Sequence, residues 1–144
     1  MKKNYHLYLG KAGHLTVMSE FLTRGWNVAI PEVDVGDDIF VVQDDNGTLR
    51  RVQVKTSTST QRQNGFSGQF NVPLKQLRNM ANIPVHYVFI VRNSDLWTKP
   101  VIIRQDYLLD YLQNDSYTKD RIACSGLDLS KYISDFNDFP FIEE

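Results

Sequence analysis

Asp38, Gln53 and Lys55 have the types and the spacing to act together, because they fall on the two arms of a predicted β-hairpin running from Asp38 to Thr56. Its hinge is Asn46-Gly47, a dipeptide suited to a two-residue type I′ turn, in which both central positions need φ > 0. With that turn Asp45 faces Thr48, Phe40 faces Gln53 and Asp38 faces Lys55. Side chains alternate along a strand, so Arg51, Gln53 and Lys55 share one face and Val52 and Val54 take the other. Directly opposed Cβ atoms lie about 4.5–5.5 Å apart and diagonal ones about 7–8 Å. An acid, an amide oxygen and an ammonium therefore converge on one small space, a set that can hold a cation and stabilise negative charge. An ordinary strand with one solvated face shows the same alternation, and Asp opposite Lys is a common cross-strand pair.

Charge along the chain bears on which reading applies. Net charge is −1, but residues 46–94 carry Arg50, Arg51, Lys55, Arg62, Lys75, Arg78 and Arg92 with no acid at all. The segments on either side are acidic. Cations beside a carboxylate group are what a metal-using enzyme acting on a polyanion needs, since the cations neutralise phosphates while the acids hold the metal. Asp34, Asp37 and Asp38 arrive together around Gly36, and carboxylates this close repel unless a divalent ion or Lys55 sits among them. Turn chemistry alone also places Asp in such loops.

The elements that must position these residues follow from periodicity. Gly10 and Gly13 are expected to open a first helix whose apolar residues Leu15, Val17, Met18, Phe21 and Leu22 form a buried stripe, with Gly25 ending it. His14 points inward near the start of that helix and is a candidate site residue, or else a partly buried histidine with a hydrogen-bond partner. Trp26 to Ile30 reads as a strand ended by Pro31. After Lys55 the run from Thr56 through Gln69 reads as a mobile loop of hydroxyls, amides and Arg62, groups that also contact phosphate oxygens. Phe66, Phe70 and Val72 suggest a strand, Pro73 a helix through Met80 that exposes Lys75 and Arg78, and Pro84 to Val91 a strand covered on both faces. Val101 to Arg104 is a further strand, Asp106 caps a helix through Leu112, and a helical turn is expected over Leu129 to Phe136. This order predicts an α/β fold with a central mixed sheet flanked by helices. No Gly-rich phosphate loop follows a strand, which excludes the usual nucleotide-binding folds.

With 144 residues the chain suits one domain, and 42% hydrophobic with 23% charged residues excludes a disordered chain. No apolar run approaches the length of a membrane span and no signal-peptide core follows Lys2-Lys3. The single cysteine, Cys124, rules out an internal disulfide and a cysteine-based zinc site, so a reducing cytoplasm is expected.

The ordered set Gly13, Gly25-Trp26-Asn27-Val28, Pro31, Asp34, Gly36, Asp38 and Arg51-Val52-Gln53-Val54-Lys55-Thr56 resembles the PD-(D/E)XK, or restriction-endonuclease-like, phosphodiesterase superfamily. Within it, the likeness is to small stand-alone bacterial predicted endonucleases and archaeal Holliday-junction resolvases. It covers residues 10–104, leaving 105–144 as a helical, acidic extension of a single nuclease-like domain. It implies a divalent-metal-dependent endonuclease that hydrolyses DNA, with Asp38, Gln53 and Lys55 catalytic and Mg²⁺ or Mn²⁺ held by Asp38, Gln53 and Asp34. Arg51, Thr56, Arg62, Lys75 and Arg78 are the expected nucleic-acid contacts, and related nucleases often act as homodimers. Gln53 stands where the family's strand carries an acid, and His14 where many members carry a glutamate. These departures imply two alternatives, a catalytically weakened nucleic-acid-binding module or a protein-interaction subunit of immunity or accessory type.

Overall fold

The computed structural model describes residues 3–33, 38–63, 65–114, 121–125 and 136–143, the backbone alone at 113–114 and 121–125. Among the described residues three helices, α1 (Tyr5–Thr23), α2 (Leu74–Arg78) and α3 (Gln105–Asn114), accompany eight strands. The strands are β1 (Asn27–Ala29), β2 (Ile39–Val42), β3 (Leu49–Arg62), β4 (Gly65–Pro73), β5 (Val85–Asn93), β6 (Leu96–Trp97), β7 (Val101–Arg104) and β8 (Arg121–Ser125). They form one mixed sheet in which β1, β2, β3, β4 and β8 follow one another and β5 joins β3 to β6 and β7.

The long strand β3 is the hub. Its first part lies between β2, antiparallel, and β5, parallel, and its last four residues leave to pair with β4. Because β5 has β3 on one edge, β7 on the other and helices over both faces, every residue from Val85 to Val91 is buried, as a run that is apolar but for His86 requires. Alternation along β3 and β5 then sorts two cores. Val52, Val88 and Ile90 pack with Val17 and Phe21 of α1, whereas Tyr87, Phe89 and Val91 pack with Leu74 and Leu77 of α2 and Leu108 and Leu112 of α3.

Helix α1 begins five residues before Gly10, and both glycines lie inside it. Gly13 serves close approach, not initiation: a Cβ there would come within 1.8 Å of Thr56 Cγ2 on β3, whereas one on Gly10 would meet Thr56 Oγ1 at an ordinary 3.8 Å. The buried face is Gly13, Val17 and Phe21, with Met18 partly covered, while Leu15 and Leu22 point to solvent. The apolar spacing of α1 thus holds two stripes, and only one of them meets the sheet. Gly25 ends the helix as expected, at φ +86°, with the Gly25 and Trp26 amides donating to the carbonyls of Leu22 and Phe21.

The run after Lys55 is not a loop. β3 continues to Arg62 and turns back into β4, because alternating Thr and Ser residues are β-branched or small enough to sit in a two-stranded ribbon. Helix α2 is shorter than expected, ending at Arg78, where the side chain of the buried Gln105 takes over its C-terminal carbonyls: Gln105 Nε2 donates to Leu77 O at 2.9 Å and to Gln76 O and Asn79 O at 3.3 Å. Asp106 lies in the first turn of α3 instead of capping it, and its carboxylate binds Arg104 and the Tyr107 amide.

Residues 136–143 close the α1 side of the sheet. Phe136 and Phe139 lie in that core, the Trp26 indole donates to Pro140 O at 2.7 Å, and the Ile142 amide donates to Arg24 O at 2.8 Å. The helical turn expected over Leu129 to Phe136 falls, but for Phe136, outside the described residues. Among the described residues no helix is long and apolar enough to cross a membrane.

Candidate active site

The hairpin that carries the candidate residues is built differently from the sequence expectation. Gln43 N donates to Thr48 O at 2.9 Å and Gly47 N to Gln43 O at 2.8 Å, so the loop is Asp44-Asp45-Asn46-Gly47 with Gly47 at φ +72°. Side chains stabilise this wider loop: Gln43 Oε1 accepts from the Asp45 amide and Asn46 Oδ1 from the Thr48 amide, both amides that a tighter turn would direct elsewhere. In consequence Val42 faces Leu49 and Ile39 faces Val52. The slip is two residues, which leaves every side chain on its expected face. The ladder ends at Ile39 and Val52, and because the Asp38 amide also donates to Val52 O, Asp38 leaves the regular register there instead of standing opposite Lys55.

Asp38 meets β3 through both its backbone and its side chain. Its amide donates to Val52 O at 2.9 Å, and its Oδ2 accepts the Val54 amide at 2.7 Å. The carboxylate is half-buried and sits against the residue between Gln53 and Lys55. On an antiparallel strand the amide and carbonyl of one residue point the same way, so the Val54 carbonyl is directed to this edge as well.

Gln53 and Lys55 are half-buried and alternate onto the face of β3 that meets α2, pairing across the parallel ladder with Tyr87 and Phe89. The Gln53 amide oxygen accepts from Gln76 Nε2 of α2 at 3.1 Å. Gln76 is the residue that sequence reasoning missed. No local pattern marks it, since its position against Gln53 depends on how α2 is folded back by Gln105, which comes from the chain beyond β7. The oxygen donors available are hard ones, a carboxylate from Asp38 and an amide oxygen from Gln53, and they fit Mg²⁺, which keeps several of its waters. Among the described residues there is no cluster of three or more His, Cys, Asp or Glu of metal-holding geometry. Asp34 lies outside the described residues, as does Asp37.

The cationic candidates divide by position. Lys75 and Arg78 are exposed on α2, flanking Gln76, and line an open cleft of about 530 Å³ with Leu74 and Asn79. Arg51 alternates to the same face as Gln53, and its guanidinium donates to Ile83 O at 3.0 Å, holding the segment that leads into β5. Arg62 is exposed at the far end of β3, where its Nε donates to Ser67 Oγ at 3.1 Å. Thr56 alternates to the opposite face and packs beneath α1 at Gly10 and Gly13, so the structure does not bring it to the side occupied by Gln53. His14 is half-buried on α1, next to the glycine that abuts Thr56.

No family model and no curated protein matches this chain. Among solved structures the chain is similar to that of a bacterial homing endonuclease, I-Ssp6803I, with a TM-score of 0.51 and 17% identity over 86% of this chain and 76% of that one. At this identity the likeness is one of fold: a central mixed sheet flanked by helices, of the kind that nuclease uses.

Proposed function

We propose that the protein is a divalent-metal-dependent endonuclease of the PD-(D/E)XK type acting on DNA. The observation that carries this reading is the Asp38 carboxylate 2.7 Å from the amide of Val54, the residue between Gln53 and Lys55. The fold shared with a homing endonuclease supports it. A bound Mg²⁺ or Mn²⁺ supplies Lewis-acid polarisation of a phosphate oxygen and lowers the pKa of a coordinated water. Asp38 and Gln53 are the residues that would hold that ion, with Asp34 as a further candidate ligand. The Val54 amide fixes one Asp38 oxygen, and Gln76, by donating to Gln53 Oε1, fixes the orientation of the Gln53 amide. Lys55 orients the attacking water and stabilises the negative charge added at phosphorus. Lys75, Arg78 and Arg62 neutralise backbone phosphates on either side, which makes binding strongly salt-dependent.

Purified protein with Mg²⁺ or Mn²⁺ is expected to nick plasmid or branched DNA, and Asp38→Asn or Lys55→Ala is expected to reduce the rate by about 100-fold or more. Equal cleavage by all three proteins would end the proposal. A second reading, a nucleic-acid-binding module without turnover, has one observation in its favour: an amide stands where the family carries an acid, and Gln76 already engages it. Salt-sensitive DNA binding indifferent to Asp38→Asn, with no cleavage, would select it.

A further inference from the structure

Helix α1 presents a second apolar stripe to solvent, opposite the one that packs on the sheet. Tyr5, Tyr8, Ala12, Leu15, Ser19 and Leu22 are spaced alternately by three and four residues, the a and d positions of a heptad repeat, over nearly the whole 19-residue helix. All six are exposed, the large ones substantially: Tyr5 38%, Tyr8 73%, Leu15 51% and Leu22 53%. Nothing in the chain's own core requires this pattern, since Val17 and Phe21 on the far side of the helix already fill it. No charge falls on the stripe, and of the charged residues of α1 only Lys11 flanks it, where its aliphatic stem can lie along apolar surface.

We infer that this face is a two-fold interface with a second copy of the same chain, α1 packing antiparallel on α1. The sizes along the stripe are self-complementary in that arrangement. With Ala12 opposite the partner's Leu15, Ser19 falls opposite the partner's Tyr8 and Leu22 opposite the partner's Tyr5, so that the two layers nearest the axis set a large side chain against a small one. A parallel pairing would instead set Leu15 on Leu15 and Ala12 on Ala12, bulging at one layer and leaving a gap at the next. Antiparallel packing also opposes the two helix dipoles favourably. Each copy offers on the order of 600 Å² along the stripe and its flanks, so a pair would bury about 1,200 Å² in all, the lower edge of a stable specific interface. This inference is independent of the catalytic proposal, because the stripe lies on the side of α1 turned away from the sheet.

Sedimentation equilibrium of the full chain, from about 1 to 200 µM, is expected to show a monomer–dimer equilibrium. Leu15→Glu should raise the dissociation constant about 100-fold or more, with a thermal midpoint unchanged at concentrations where both proteins are monomeric, since Leu15 takes no part in the core, and Ala12→Leu should raise it about tenfold by overpacking its layer. In a Cys124→Ser background, Ser19→Cys chains should not oxidise to a disulfide among themselves but should cross-link to Tyr8→Cys chains. A wild-type chain that stays monomeric throughout, or a dimer indifferent to Leu15→Glu, overturns the interface. Efficient self-cross-linking of Ser19→Cys overturns the antiparallel arrangement.

Discussion

The Asp38 carboxylate is tied to β3 by a short hydrogen bond from the Val54 amide, so its stability role and its proposed chemical role can be separated by substitution. Asp38→Ala leaves that amide without its acceptor and should cost about 1–2 kcal/mol, read as a lowered urea midpoint. Asp38→Asn keeps an oxygen acceptor and should cost less than about 1 kcal/mol, while losing the negative charge that the proposed metal would need. A stable but inactive Asp38→Asn protein would therefore locate the defect in chemistry, not in folding. Gln53 is a comparable case, because its oxygen is oriented by Gln76, a contact made across the gap between sheet and helix.

Two contacts between elements set the frame on which those residues sit. The first is the crossing of α1 over β3 at Gly13 and Thr56, where Gly13→Ala would drive a methyl into the stiff, β-branched Thr56. A loss of about 2 kcal/mol is expected, relieved in part by adding Thr56→Ser, which removes the clashing Cγ2; thermal denaturation of the single and double variants checks it. The second is Gln105, buried at 1% exposure, which donates to the last carbonyls of α2 and accepts the Val85 amide at 3.3 Å. Gln105→Leu strands these groups, with an expected loss of about 2–3 kcal/mol in urea denaturation. Because α2 carries Gln76, Lys75 and Arg78, the same variant should also weaken DNA cleavage more than its modest loss of stability explains.

At the scale of the whole molecule, residues 136–143 are bound to the first helix and the sheet, and one histidine makes that closure pH-dependent. His86 is 2% exposed; its Nε2 lies 2.9 Å from Asp138 Oδ2, its ring meets Phe139 edge-on, and among the described residues its Nδ1 has no hydrogen-bond partner. Burial pushes its pKa below the ordinary histidine value of 6.5, Asp138 opposes the shift, and Arg50 and Arg104 add to it. The folded chain thus binds a proton less readily than the unfolded one. Its stability is fully present above about pH 6.5 and declines as the pH falls below that value, with a slope of up to about 1.4 kcal/mol per pH unit until the folded value is reached. Thermal midpoints between about pH 8 and pH 5 should show this decline, and His86→Gln should flatten it.

Much of the α/β order was legible because it rests on local periodicity. The near-continuous apolar run of β5 reports burial on both faces, Gly25 reports the end of α1, and the alternation of Arg51, Gln53 and Lys55 holds whatever the register. What the chain by itself could not determine are matters of long-range contact. The two glycines of α1 looked like helix initiators until β3 was seen beneath them, and the hydroxyl-rich run looked like a loop until β4 paired with it. Asn46-Gly47 favours a tight turn, yet Gln43 and Asn46 side chains stabilise a wider one, which shifts the ladder by two residues and sets Asp38 against Val52 and Val54 instead of opposite Lys55. Local preferences of this kind are worth a kilocalorie or less per residue, whereas a packed sheet and two cores contribute many times that, so tertiary structure decides wherever the two disagree.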